Sequence, residues 1–117
     1  MGIIGIHALV YAKKADEVRA FFKDVLGWTG VDAGGGWPIL RAPPAELAVH
    51  PAEDEQYHEL YLMCDDVDAT IAQLKQKGVA CDPVSDQRWG RVTSIRLPGG
   101  ATLGLYQPRH PLAITKT

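Results

Sequence analysis

Residues 96–108 read RLPGGATLGLYQP. The second half alternates as a strand does, with Leu103 and Leu105 on one face and Thr102, Gly104 and Tyr106 on the other. Pro98-Gly99-Gly100 supplies turn residues ahead of it, and residues 90–97 supply a partner strand, so the stretch reads as a closing hairpin. Gly104 is the odd member. Glycine inside a strand packs nothing, and it marks a bulge, a close backbone approach or a face kept open. Because Gly104 shares its face with Tyr106, that face is the one to follow.

Outward from the hairpin, the chain reads as two similar halves. The second opens with a strand, YHELYLMC, followed by a helix over residues 67–77 with Val67, Ile71 and Leu74 as its apolar residues. Asp65 and Asp66 precede that helix and suit its positive N-terminal end. The first half opens with the strand GIHALVYA and a helix over residues 15–26, where Val18, Phe21, Phe22 and Val25 fall at i, i+3, i+4 and i+7. Gly27 and Gly78 follow the two helices at the position that favours a left-handed backbone. His7 and His58, Leu9 and Leu60, and Gly27 and Gly78 are all 51 residues apart. Further strands are expected at residues 37–41 and 46–50, joined by Ala42-Pro43-Pro44-Ala45. Residues 30–37 hold three consecutive glycines and read as a flexible connector; they do not lead from a strand into a helix, as a phosphate loop would. The acidic stretch 51–56 reads as a linker, and residues from 108 onward as a surface tail.

The composition bounds the function. The chain has 117 residues, 46% hydrophobic and 22% charged, which is one globular domain with a real core. A net charge of −2 with no basic block argues against a nucleic-acid surface. No apolar stretch is long enough to span a bilayer, and the start lacks the pattern of a signal peptide or a myristoylation site. Cys64 and Cys81 form neither a CxxC pair nor a disulfide framework, which suits a cytoplasmic setting and two small buried hydrophobes.

Two βαβββ modules of this size, each opening with a histidine-bearing strand, resemble the vicinal oxygen chelate superfamily of glyoxalases, extradiol dioxygenases and bleomycin-resistance proteins. IHALVYAKKADEVRAFFKDVLGW is similar to that family's first strand, helix and "LG" turn, HELYLMCDDVDATIAQLKQKGV to its second module, and IRLPGGATLGLY to its closing hairpin. The resemblance implies an α+β fold in which residues 1–52 and 56–108 are tandem βαβββ modules, with residues 109–117 as a tail. The modules would form a curled mixed sheet around a central cup, within one chain or between two. It also implies a homodimer, since curled sheets expose edges that a partner covers.

Enzymes of that family hold a divalent metal through ligands on the first and last strands of each module. Carried over position by position, those places fall on His7, His50, His58 and Gly104, the last standing where the enzymes carry Glu. Three histidines could hold Fe, Zn, Ni or Mn with positions left open for substrate. The resemblance thus implies a metal-dependent enzyme, dioxygenase-like or lyase-like, acting on a small oxygen-chelating substrate. The missing carboxylate removes the glyoxalase proton shuttle and leaves the extradiol triad incomplete. Glu46 shares a strand face with His50 and is a candidate to reach inward, whereas Gln107 faces away. The alternative is a metal-free protein of the bleomycin-resistance type that binds or sequesters a small molecule by stacking. For either reading, Trp37, Arg41, Trp89, Gly104 and Tyr106 are the candidate substrate-binding residues. Arg91 and Arg96, like Arg41, lie on module strands and could meet an anionic substrate; the plainer reading makes all three solvated surface and the aromatics, with Tyr61, part of the core.

Overall fold

The computed structural model describes residues 2, 8–10, 12–32, 34, 38–46, 48 and 58–112. The candidate residues His7, Trp37 and His50, and most of the strands expected at 5–12 and 46–50, lie outside the described residues.

Helix α1 (Ala15–Ala20) begins with Asp16 and Glu17 in its first turn, where negative charge meets the helix dipole favourably. It widens into a π turn over Phe21–Val25, with the Leu26 amide donating to the Phe21 carbonyl at 3.2 Å. Val18, Phe21 and Phe22 are buried, as the spacing predicts. Phe22 packs against Trp28 with ring centroids 4.9 Å apart. Gly27 stops the helix at φ 77°, and Gly78 stops the second helix at φ 79°. The two halves therefore end their helices by the same device.

A short antiparallel pair follows α1. Strand β1 (Gly30–Asp32) pairs with β2 (Pro38–Leu40). The stretch read as a connector thus opens with a strand. Its pairing depends on close approach: a Cβ on Gly30 would lie 3.0 Å from Leu40 Cα. The facing residues Val31 and Ile39 are both exposed apolar side chains.

The second half is a complete βαβββ unit. Strand β3 (Tyr61–Met63) leads into helix α2 (Val67–Gln76) and then β4 (Ser85–Gln87), β5 (Gly90–Arg96) and β6 (Thr102–Pro108). The sheet order is β3-β6-β5-β4, with β3 parallel to β6 and the other pairs antiparallel. A parallel pair needs a crossover, and α2 is part of it. Strand β4 was not expected; its residues Ser85, Asp86 and Gln87 are polar and exposed, so no alternation marks them.

The core lies between the helices and one face of this sheet. Ile95, Leu97, Leu103 and Leu105 join Val67 and Leu74 of α2 and Val18, Phe21 and Phe22 of the first helix in one cluster. Thr93 is buried among them, its hydroxyl donating to the Asp82 carbonyl. Two polar contacts seat the start of α2. Asp66 accepts from the Ala69 amide at 3.1 Å, and Gln107 reaches from β6 to accept from the Val67 amide at 2.9 Å. Gln107 thus faces away from Tyr106, as the alternation predicts. Asp66→Ala is expected to cost about 1 kcal/mol, lowering the thermal midpoint by about 4 °C for a chain of this length. An unchanged midpoint in calorimetry would show the cap to be dispensable.

Candidate functional site

The register settles which residues share the face opposite the helices. Gly104 pairs with Tyr61 on one side and Ser94 on the other, and Tyr106 pairs with Met63 and Val92. Leu103 and Leu105 face the core, so Gly104, Tyr106 and their cross-strand partners face away from it.

Gly104 is a close-approach glycine. A Cβ at this position would sit 2.6 Å from Cε1 and 2.9 Å from Cγ of Tyr61, well inside contact distance. The place read as an emptied ligand slot is therefore filled by the Tyr61 ring. Gly90 does the same for the other tyrosine: a Cβ there would lie 2.9 Å from Cδ2 of Tyr106 and 2.6 Å from the Gln107 carbonyl oxygen. Two glycines thus make room for two tyrosine rings on one face.

Trp89 completes the group. It sits in the two-residue turn between β4 and β5. No non-glycine residue among those described has positive φ, so this turn is not the primed type that matches strand twist. Arg109 braces it instead, donating to Asp86 at 2.8 Å and to the Gln87 carbonyl at 3.0 Å, while its amide donates to the Trp89 carbonyl at 2.9 Å. The three rings meet edge to face. Centroids are 5.9 Å apart for Tyr61–Trp89, 5.7 Å for Tyr61–Tyr106 and 5.2 Å for Trp89–Tyr106. Trp89 remains 41% exposed and Tyr61 38%, so the cluster offers ring surface to solvent rather than closing into a core.

A histidine with no local pattern to mark it joins this cluster. His110 Nε2 lies 3.0 Å from the Tyr106 hydroxyl, and its Nδ1 lies 2.7 Å from the Pro111 carbonyl oxygen. The start of the stretch read as a surface tail is thus held against the sheet by Arg109 and His110. Burial, and then the negative charge of Glu46, push the Tyr106 phenol up from its ordinary pKa. Glu46 lies in no strand among the described residues.

The other candidates fall elsewhere. His58 is exposed ahead of β3. Arg41 is exposed after β2, its amide donating to the Thr29 carbonyl at 2.6 Å. Arg91 is held by Asp68 at 2.7 Å and Arg96 by Asp82 at 2.7 Å, the surface ion pairs of the plainer reading. Among the described residues, no three His, Cys, Asp or Glu side chains form a group able to hold a metal ion. The Tyr61 ring covers the Gly104 position, and two of the three expected ligands, His7 and His50, lie outside the described residues. Both cysteines are free and half-buried, and burial raises both thiols, so neither is an activated nucleophile.

No family model matches this chain, and no curated protein matches it significantly. Solved structures do. The antibiotic-binding protein TnmS3 from Streptomyces sp. CB03234 matches at 27% identity and a TM-score of 0.64, over 92% of this chain and 98% of that one. A lactoylglutathione lyase from Agrobacterium tumefaciens matches at 16% identity and a TM-score of 0.62, over 92% and 96%. A glyoxalase/bleomycin resistance protein/dioxygenase superfamily member from Sphaerobacter thermophilus DSM 20745 matches at 20% identity and a TM-score of 0.61, over 92% and 99%. The chain has the glyoxalase/bleomycin resistance/dioxygenase fold. Its neighbours are members of that superfamily, as the sequence resemblance implies. They include a lyase and an antibiotic-binding protein, so the fold alone does not choose between chemistry and binding. No helix among the described residues is long and apolar enough to cross a membrane.

Proposed function

We propose that this protein binds a small planar aromatic molecule, of the kind found among antibiotics, on the face formed by Tyr61, Trp89 and Tyr106. The observation that carries this reading is the pair of glycines, Gly104 and Gly90, that admit the two tyrosine rings to a solvent-facing cluster. Aromatic side chains that serve only as core have no need of exposed ring surface. Here the exposed edges and faces of the rings present stacking area. The antibiotic-binding neighbour supports a small-molecule ligand.

The test is a fluorescence titration with planar aromatic antibiotics and simple naphthalenes. Binding should persist after treatment with EDTA, and Trp89→Ala should weaken it about ten-fold, the upper end of one aromatic contact. Failure of every compound to bind at millimolar concentration would defeat the reading. Elemental analysis of untagged protein provides the contrast. A stoichiometric transition metal would turn the assignment to a metal-dependent enzyme, the reading that the sequence positions of His7, His50 and His58 support.

A further inference from the structure

The hydrogen bonds of His110 decide which way the Tyr106 hydroxyl points. The Pro111 carbonyl can only accept, so the imidazole Nδ1, 2.7 Å away, must carry a proton. A neutral imidazole has one N–H, which leaves Nε2 with a lone pair. The Tyr106 hydroxyl, 3.0 Å from Nε2, is then the donor of that bond. Burial and Glu46 both favour the protonated phenol, so the proton needed for this bond is present at neutral pH. The single hydroxyl proton is committed to His110, and the phenol oxygen is left with lone pairs only.

We infer that His110 is a specificity-determining residue: by taking the Tyr106 proton, it makes the phenol an obligate acceptor that selects aromatic ligands carrying a hydroxyl or N–H donor over those carrying only acceptors. The inference rests on the aromatic-ligand reading for its ligand and on the His110 contacts for its direction. An acceptor-only ligand reaching this end of the cluster meets lone pairs facing lone pairs, and gains no hydrogen bond to repay its lost water. Without His110 the hydroxyl rotates freely and serves a ligand as donor or acceptor. His110 is thus a positioning residue acting through Tyr106, and stacking on Tyr61 and Trp89 does not depend on it.

Two measurements test this together. The first is the ¹⁵N spectrum of the His110 imidazole in the intact protein at pH 8, which should show the neutral tautomer protonated at Nδ1. The Nε2-protonated tautomer would overturn the inference whether or not any ligand binds. The second compares 2-naphthol, which can donate, with 2-methoxynaphthalene, which can only accept. The intact protein should prefer 2-naphthol by about ten-fold, the worth of one neutral hydrogen bond. Tyr106→Phe should abolish the preference while leaving 2-methoxynaphthalene binding nearly unchanged. His110→Phe should reduce the preference to less than about three-fold by freeing the hydroxyl. Binding of both compounds with no preference, or a preference unmoved in His110→Phe, would overturn the role of His110 and leave the aromatic site standing. Binding of neither would remove the aromatic-site reading and with it the selectivity.

Discussion

Gly104→Glu should destabilise the protein by more than about 3 kcal/mol, above the usual range for overpacking, and should bring no gain in metal affinity. The sequence resemblance implies a carboxylate ligand at this position in the family's enzymes, so an emptied slot would accept glutamate and tighten metal binding. Here the Cβ alone would lie 2.6 Å from Tyr61 Cε1. The ring must leave before any longer side chain can enter, and Tyr61 is the cross-strand partner of Gly104 in the β3–β6 pairing. Moving the ring also opens its contacts to Trp89 and Tyr106. Gly104→Ala is the gentler probe and should cost about 1–3 kcal/mol. Placed in a Tyr61→Ala background, the same Gly104→Ala change should cost at least about 1 kcal/mol less, because the clash has no second partner. A chemical-denaturation cycle of the four proteins reads this coupling. Additive costs would show that Tyr61 is not what requires glycine, and a well-folded Gly104→Glu protein with new metal affinity would restore the ligand-slot reading.

This contrast shows where the sequence was legible. Local signals carried through. The apolar spacing of residues 18–25 and the glycines at 27 and 78 located both helices and their ends, because a helix face and a left-handed stop are written within a few residues. The alternation in residues 102–107 fixed the two faces of β6, and with them the core position of Leu103 and Leu105. Non-local contacts were not legible in the same way. Gly104 is required by a ring more than forty residues earlier in the chain, brought alongside by a parallel pairing that no local pattern encodes. His110 follows the end of β6 in a proline-flanked stretch with no periodicity, so nothing in its neighbours ties it to Tyr106. Strands β1 and β4 were missed for a related reason: three exposed residues cannot announce a strand, and their partners define them.

Ile95→Ala is expected to have the other large effect, a loss of about 2–5 kcal/mol, with aromatic binding unchanged below the new transition. Ile95 is fully buried, and it stands on the helix-facing side of β5, paired with Leu103. The bridge from Cys81 also closes on it, so its side chain lies where the chain returning from α2 meets the sheet. Removing it leaves a cavity among elements held by helix packing and not free to collapse inward. Thermal melting should show a midpoint lower by roughly 8–20 °C, given the unfolding entropy of a chain this long. The proposed ligand face lies across the sheet, on the side of Ser94 and Val92 rather than Thr93 and Ile95, and its rings are seated by Gly104, Gly90 and Arg109. Binding of 2-naphthol at a temperature where both proteins are folded should therefore agree within about two-fold, the usual reach of coupling between separate sites. A small change in stability would mean that the core is not centred on Ile95. A large stability loss accompanied by lost binding in the folded variant would mean that the two faces are coupled, and that the aromatic site depends on the helices behind the sheet as well as on the glycines within it.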